Sequence, residues 1–142
     1  MTEIDLSQLR KLAADCRKAA NGLEKDLYEG VLVGGEIVAA KARKNAAAFP
    51  RKGGGTTRIA DSVKVRRRGV NVKIQAGGNS APEAAPIENH GRGGSFRHPV
   101  PGDGWVSQPS HPFLTTAAEE SAADVEAVVL AAVDETIARF VI

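Results

Sequence analysis

The sequence predicts an α+β domain in which two long helices lie against a small antiparallel sheet. Three observations predict it. Apolar or small residues recur at three- and four-residue steps over residues 6–37, and at helical spacing again over 114–140, as on one face of a helix. Between these segments, residues 62–76 alternate apolar and basic side chains with period two, the pattern of strands with one covered face. Gly/Pro-rich stretches separate the periodic segments, as connecting loops require. At 142 residues the chain reads as a single domain, 1–142, long enough to bury a core.

The first element is a helix over about 1–48. Its seam runs through Leu6, Leu9, Ala13, Cys16, Ala20, Leu23, Leu27, Gly30, Gly34 and Ile37, with charged residues on the other faces. Each of Gly22, Gly30, Gly34 and Gly35 weakens a helix by about 1 kcal/mol relative to Ala. They therefore mark a kink or the close approach of another backbone. A continuous helix to Ala47 would be roughly 60–65 Å long at about 1.5 Å per residue, more than one small core covers. Leu6, Leu9, Leu23 and Leu27 are accordingly candidate subunit contacts. Phe49-Pro50 ends the helix.

Residues 51–57, Arg-Lys-Gly-Gly-Gly-Thr-Thr, read as a flexible loop. The segment 58–78 reads as a basic hairpin. Val63 and Val65 alternate with Lys64 and Arg66, and Val70, Val72 and Ile74 with Asn71, Lys73 and Gln75. Arg68-Gly69 supplies the turn, where glycine accepts positive φ. Residues 82–89 form a short helix or turn with Ile87 inward. Five Gly and three Pro make 91–110 a long loop, with Trp105 as an anchor or part of a short strand. A second helix spans 112–141. Pro112 suits its first turn, and Glu119, Glu120 and Arg139 complement its dipole.

Composition narrows function. Hydrophobic residues make up 42% of the chain but aromatic ones only 4%, so the core should be thin and packed by small side chains. An aromatic-lined ligand pocket is not expected. One cysteine, Cys16, excludes an intramolecular disulfide and argues against a cysteine-based zinc site. The polar, acidic N-terminus is unlike a signal peptide, and no apolar run reaches membrane-spanning length.

Charge is segregated although the net charge is only +2. Residues 41–73 hold 11 bases against one acid, whereas 1–40 carry −2 and 74–142 carry −6. Arg51, Lys52, Arg58, Lys64, Arg66, Arg67, Arg68 and Lys73 are the candidates for facing DNA or another polyanion. An acidic protein surface and plain solvation are the competing readings.

Two short motifs bracket the 91–110 loop. Before it stand Ala81-Pro82-Glu83-Ala84 and then Glu88-Asn89-His90-Gly91; after it comes Pro112-Phe113-Leu114-Thr115-Thr116-Ala117. Their order across roughly residues 60–142 resembles the neck and tail-completion proteins of long-tailed bacteriophages. Glu83 stands where that family commonly has tyrosine, Thr116 where it has proline, and the glycine after Glu88 comes one residue late. The resemblance implies a small twisted antiparallel sheet crossed by the C-terminal helix, with Ile87, Phe113 and Leu114 as fold anchors. It implies a virion protein assembled as a ring of six or twelve copies, contacting adjacent neck, stopper or tail-tube proteins and passing double-stranded DNA through its channel. A tail terminator that caps the tube is the alternative. A free nucleic-acid-binding protein using the basic hairpin is the second, from a different class.

No constellation for catalysis or a cofactor emerges, so no enzyme is expected. His90, His98, His111 and Asp103 have spacings unlike a metal site. Cys16 lies on a helix seam, where cysteine acts as a small apolar residue. Gly53-Gly54-Gly55-Thr56-Thr57 lacks the frame of a phosphate-binding loop. Trp105 either docks on a neighbour or tucks into its own core.

Overall fold

The computed structural model describes residues 6–49, 56–68 and 71–140. Arg51 and Lys52 lie outside the described residues, as do the side chains of Leu6, Leu9 and Arg68. The order is α1 (Leu6–Ala47), α2 (Thr56–Ser62), β1 (Lys64–Arg68), β2 (Asn71–Gln75), α3 (Ala84–Glu88), a 3-10 turn (Asn89–Gly91), β3 (Ser95–Val100), β4 (Gly104–Pro109) and α4 (Phe113–Phe140). The α+β class and the two long helices are as the sequence predicts.

Helix α1 is the spine, and α4 runs antiparallel along it. Asn45 Nδ2 donates to the Phe113 carbonyl at 3.3 Å near one end. Lys41 meets Glu120 at 3.1 Å. Near the other end the Thr136 hydroxyl donates to the Asp26 carboxylate at 2.6 Å, and Arg139 donates to the same group. The glycines explain how the two backbones come so close. A Cβ on Gly30 would lie 2.9 Å from Ala132 Cβ, and one on Gly34 would lie 2.9 Å from Val125 Cγ1. Close approach, rather than a kink, is therefore the role of Gly30 and Gly34. Gly35 serves the other side of α1, where a Cβ would meet Val72 Cγ1 at 2.9 Å.

That other side carries the β1–β2 hairpin. Its register pairs Lys64 with Gln75, Val65 with Ile74, Arg66 with Lys73, and Arg67 with Val72. Half-buried Val65 and Ile74 pack against the core while Lys64, Arg66 and Lys73 stay exposed. Arg68 pairs with Asn71; Gly69 of the expected turn and Val70 of the expected strand lie outside the described residues.

The core lies beside the second half of α1. Val38, Ala39, Ala42, Ala46 and Phe49 pack with Ile59 and Val63, with Ala84 and Ile87 of α3, and with Phe113 and Ala117 of α4. Alanine predominates, as the composition predicts. The anchors Ile87 and Phe113 are fully buried, and Leu114 is half-buried against them.

Two segments differ from their loop reading. Thr56 and Thr57 begin α2 instead of ending a loop. Within 91–110, twelve residues form the β3–β4 hairpin, whose register pairs Phe96 with Gln108, His98 with Val106 and Pro99 with Trp105. Its turn is type II: Pro101 presets φ, Gly102 sits at φ +88, and Asp103 N–H donates to the Val100 carbonyl at 3.1 Å.

Candidate interaction surfaces and the clamp between them

The bracketing motifs meet in space. The first N–H groups of a helix have no partner within it, and α4 has no acid in its own first turn. Glu88 supplies one from 26 residues upstream. Its carboxylate accepts from Leu114 N–H at 2.8 Å, from Thr115 N–H at 2.9 Å, and from the Thr115 hydroxyl. Phe113 N–H donates to the His111 carbonyl at 2.7 Å, and Thr116 N–H to the Pro112 carbonyl at 3.0 Å. The opening turn is thereby satisfied, and a carboxylate sits at the positive end of the dipole. Glu119 and Glu120 lie beyond that turn, and Glu120 pairs with Lys41.

A tight reversal aims Glu88. Asn89, His90 and Gly91 take successive positive φ values of 50, 54 and 75. Two non-glycine residues in this region cost of order 1–3 kcal/mol each, so their surroundings must hold them. Asn89 Nδ2 donates to Ser110 Oγ at 3.0 Å, and His111 N–H to the Ile87 carbonyl at 2.8 Å. Gly91 is required twice over. Its φ is positive, and a Cβ there would lie 2.6 Å from Thr115 Oγ1. His111 is seated as well, its Nε2 3.1 Å from the Asn45 carbonyl and its ring 5.0 Å from that of Phe49. The three histidines go separate ways, and among the described residues no group of His, Cys, Asp or Glu is arranged to hold a metal ion.

The clamp holds the base of the β3–β4 arm, which Ser110 N–H closes by donating to the Gly94 carbonyl at 2.8 Å. Phe96 packs the arm's base against the core. Arg97, Pro99, Trp105 and Ser107 share its outer face, and Trp105 is 63% exposed. Trp105 therefore does not tuck into its own core. Pro99 and Pro109 remove two N–H donors, blunting the strands as templates for a further strand. The arm presents a face rather than an edge.

The basic candidates divide. Arg58 is taken by Glu83, with contacts of 2.6 and 3.0 Å. Arg67 is on the inner face, its guanidinium 4.4 Å above the Tyr28 ring and bonded to the Tyr28 hydroxyl. Within the same basic stretch, Arg43 donates to the Val63 carbonyl at 2.9 Å. Lys64, Arg66 and Lys73 make the outer face. Lys64 and Arg66 also line a groove of about 450 Å³ with Ser62, Gln75 and Leu114. A row of exposed cations with amide neighbours suits phosphate oxygens and reads no base sequence.

The subunit-contact candidates divide too. Leu23 and Leu27 are a little over one-third exposed, at the far end of α4, and the seam residues Ala13, Cys16 and Ala20 beyond them are exposed. Sequence reasoning missed the partners: Tyr28 for Arg67, Glu83 for Arg58 and Thr115 for Glu88. No local spacing signals contacts between residues 25 to 39 positions apart.

Among the described residues no helix is long and apolar enough to cross a membrane. Comparison with family models, curated proteins and solved structures finds no match to this chain.

Proposed function

We propose that this chain is a ring-forming structural subunit of the neck of a long-tailed bacteriophage, joining head to tail. The clamp carries the reading. The two motifs on which the resemblance rests become one physical device, with Glu88 capping the helix that Pro112-Phe113-Leu114 begins. In this role the ring forms part of the DNA channel, and Lys64, Arg66 and Lys73 face the passing duplex. A channel needs cations without tight grip, since phosphate contacts do not specify sequence. The exposed Trp105 arm engages the adjacent neck or tail-tube protein. The role needs no catalysis or cofactor, and its place is the virion, reached from the host cytoplasm during assembly.

The test is the purified particle. The reading expects the protein in stoichiometric amount, in six or twelve copies. It also expects Lys64→Gln, Arg66→Gln and Lys73→Gln together to lower DNA retention or ejection while subunit melting is unchanged. Absence from particles, with salt-sensitive DNA binding by the free protein, would instead identify a non-virion nucleic-acid binder.

A further inference from the structure

The last turn of α4 reaches Asp26 of α1 through Thr136 and Arg139. From there back to Arg10, α1 runs on past the end of its partner. At about 1.5 Å per residue, residues 10–22 add roughly 20 Å of helix. The seam does not stop where α4 stops: Ala13, Cys16 and Ala20 continue the spacing that leads through Leu27 to Gly34. Leu12 lies beside it, 59% exposed. Arg10 and Arg17, seven residues apart, flank this seam, and residues 10–22 carry four bases against one acid.

The outer face of α4 has the complementary character. Opposite buried Ala117, Ser121 and Thr136 and half-buried Val125 lie Ala123, Ala127, Leu130 and Ile137. Leu130 is 53% exposed and Ile137 50%. Glu119, Glu126 and Asp134 lie among them, with the first two again seven residues apart. The helix holds six acids and one base, and that base, Arg139, is turned inward onto Asp26. An apolar stripe flanked by arginines thus matches an apolar stripe flanked by glutamates at the same seven-residue period. This is the layout of complementary flanking charges on a helix pair.

We propose that the exposed stretch of α1 from Arg10 onward packs on the outer face of α4 in a second copy of this chain. Arg10 and Arg17 meet Glu119 and Glu126 across that contact. The two surfaces are different, so the contact is head-to-tail and every subunit both gives and receives; such contacts close into rings or continue as filaments. The inference goes beyond the neck reading and stands on these two surfaces alone.

Charge exchange tests it, read by sedimentation velocity at low ionic strength, where exposed charges are least screened. Wild type self-associates. Arg10→Glu with Arg17→Glu weakens association at least about tenfold, and so does Glu119→Lys with Glu126→Lys. The two variants mixed associate again, because each then offers the surface the other lacks, and all four changes in one chain restore self-association. Circular dichroism reports an unchanged helix content, since the four positions are exposed. A wild type that stays monomeric overturns the contact. So does a Glu119/Glu126 variant that associates like wild type, or a mixture that stays dispersed. Absence from virions would overturn the neck reading and leave this contact intact, whereas a failed rescue does the reverse.

Discussion

The two halves of α1 carry one seam into two environments. From Gly30 to Phe49 the helix lies between α4 and the β1–β2 hairpin, and its contact positions are glycine, alanine, valine and phenylalanine. From Arg10 to Asn21 every position but Ala19 is exposed, Leu12 included. The spacing is the same, so spacing alone did not decide which half is covered. Glycine on the seam separates them, Gly30 and Gly34 in the covered half against Ala13, Cys16 and Ala20 in the bare one. Gly30 and Gly34 let α4 approach to contact distance of the α1 backbone, where any larger residue would push it away. The bare half keeps Leu12 exposed, with Arg10 and Arg17 exposed near it. One helix thus serves as core in one half and stays exposed in the other.

Substitutions that break this contrast have graded effects. Phe113→Ala should be the largest, costing about 3–5 kcal/mol by emptying the site where α1, α3 and α4 meet; the drop in Tm and in the denaturant midpoint measures it. Gly34→Val places new atoms against Val125 and should cost about 1–3 kcal/mol. Gly22→Ala, in the bare half, should instead stabilise by up to about 1 kcal/mol through helix propensity. If both glycine changes shifted chemical denaturation the same way, the division of α1 would lose its basis.

Glu88→Gln keeps the shape of the clamp but removes its charge. It should cost about 0.5–2 kcal/mol, the range for loss of a helix cap. Amide hydrogen exchange should report it locally, through faster exchange at Leu114 and Thr115 than in the middle of α4. Trp105→Ala should be the smallest on stability, within about 0.5 kcal/mol as for an exposed site, and on the proposed neck role it should show itself in particle assembly. A clear fall in subunit Tm would mean that the arm is held by its own chain after all.

The clamp also shows what was legible. Glu88, Gly91 and Phe113 were visible as parts of two short motifs but not as one device, because their contact depends on a reversal through two left-handed residues. The basic stretch was visible as a charge sum. That Arg58 and Arg67 are engaged while Lys64, Arg66 and Lys73 face outward was not, since Glu83 and Tyr28 lie 25 and 39 residues away. The β3–β4 hairpin was hidden by composition. Its glycines and prolines, which read as a loop, make a type II turn and blunted strands.

The sequence by itself determined both long helices and the β1–β2 hairpin, because three-to-four and two-residue periodicities are local properties of the backbone. It also determined a small-residue core, which is a matter of composition. Tertiary structure decided which half of α1 is covered, which cations remain exposed, and that Glu88 caps α4. Each of these depends on where distant segments come to rest, and that is settled by packing and by hydrogen bonds that only the folded chain can make.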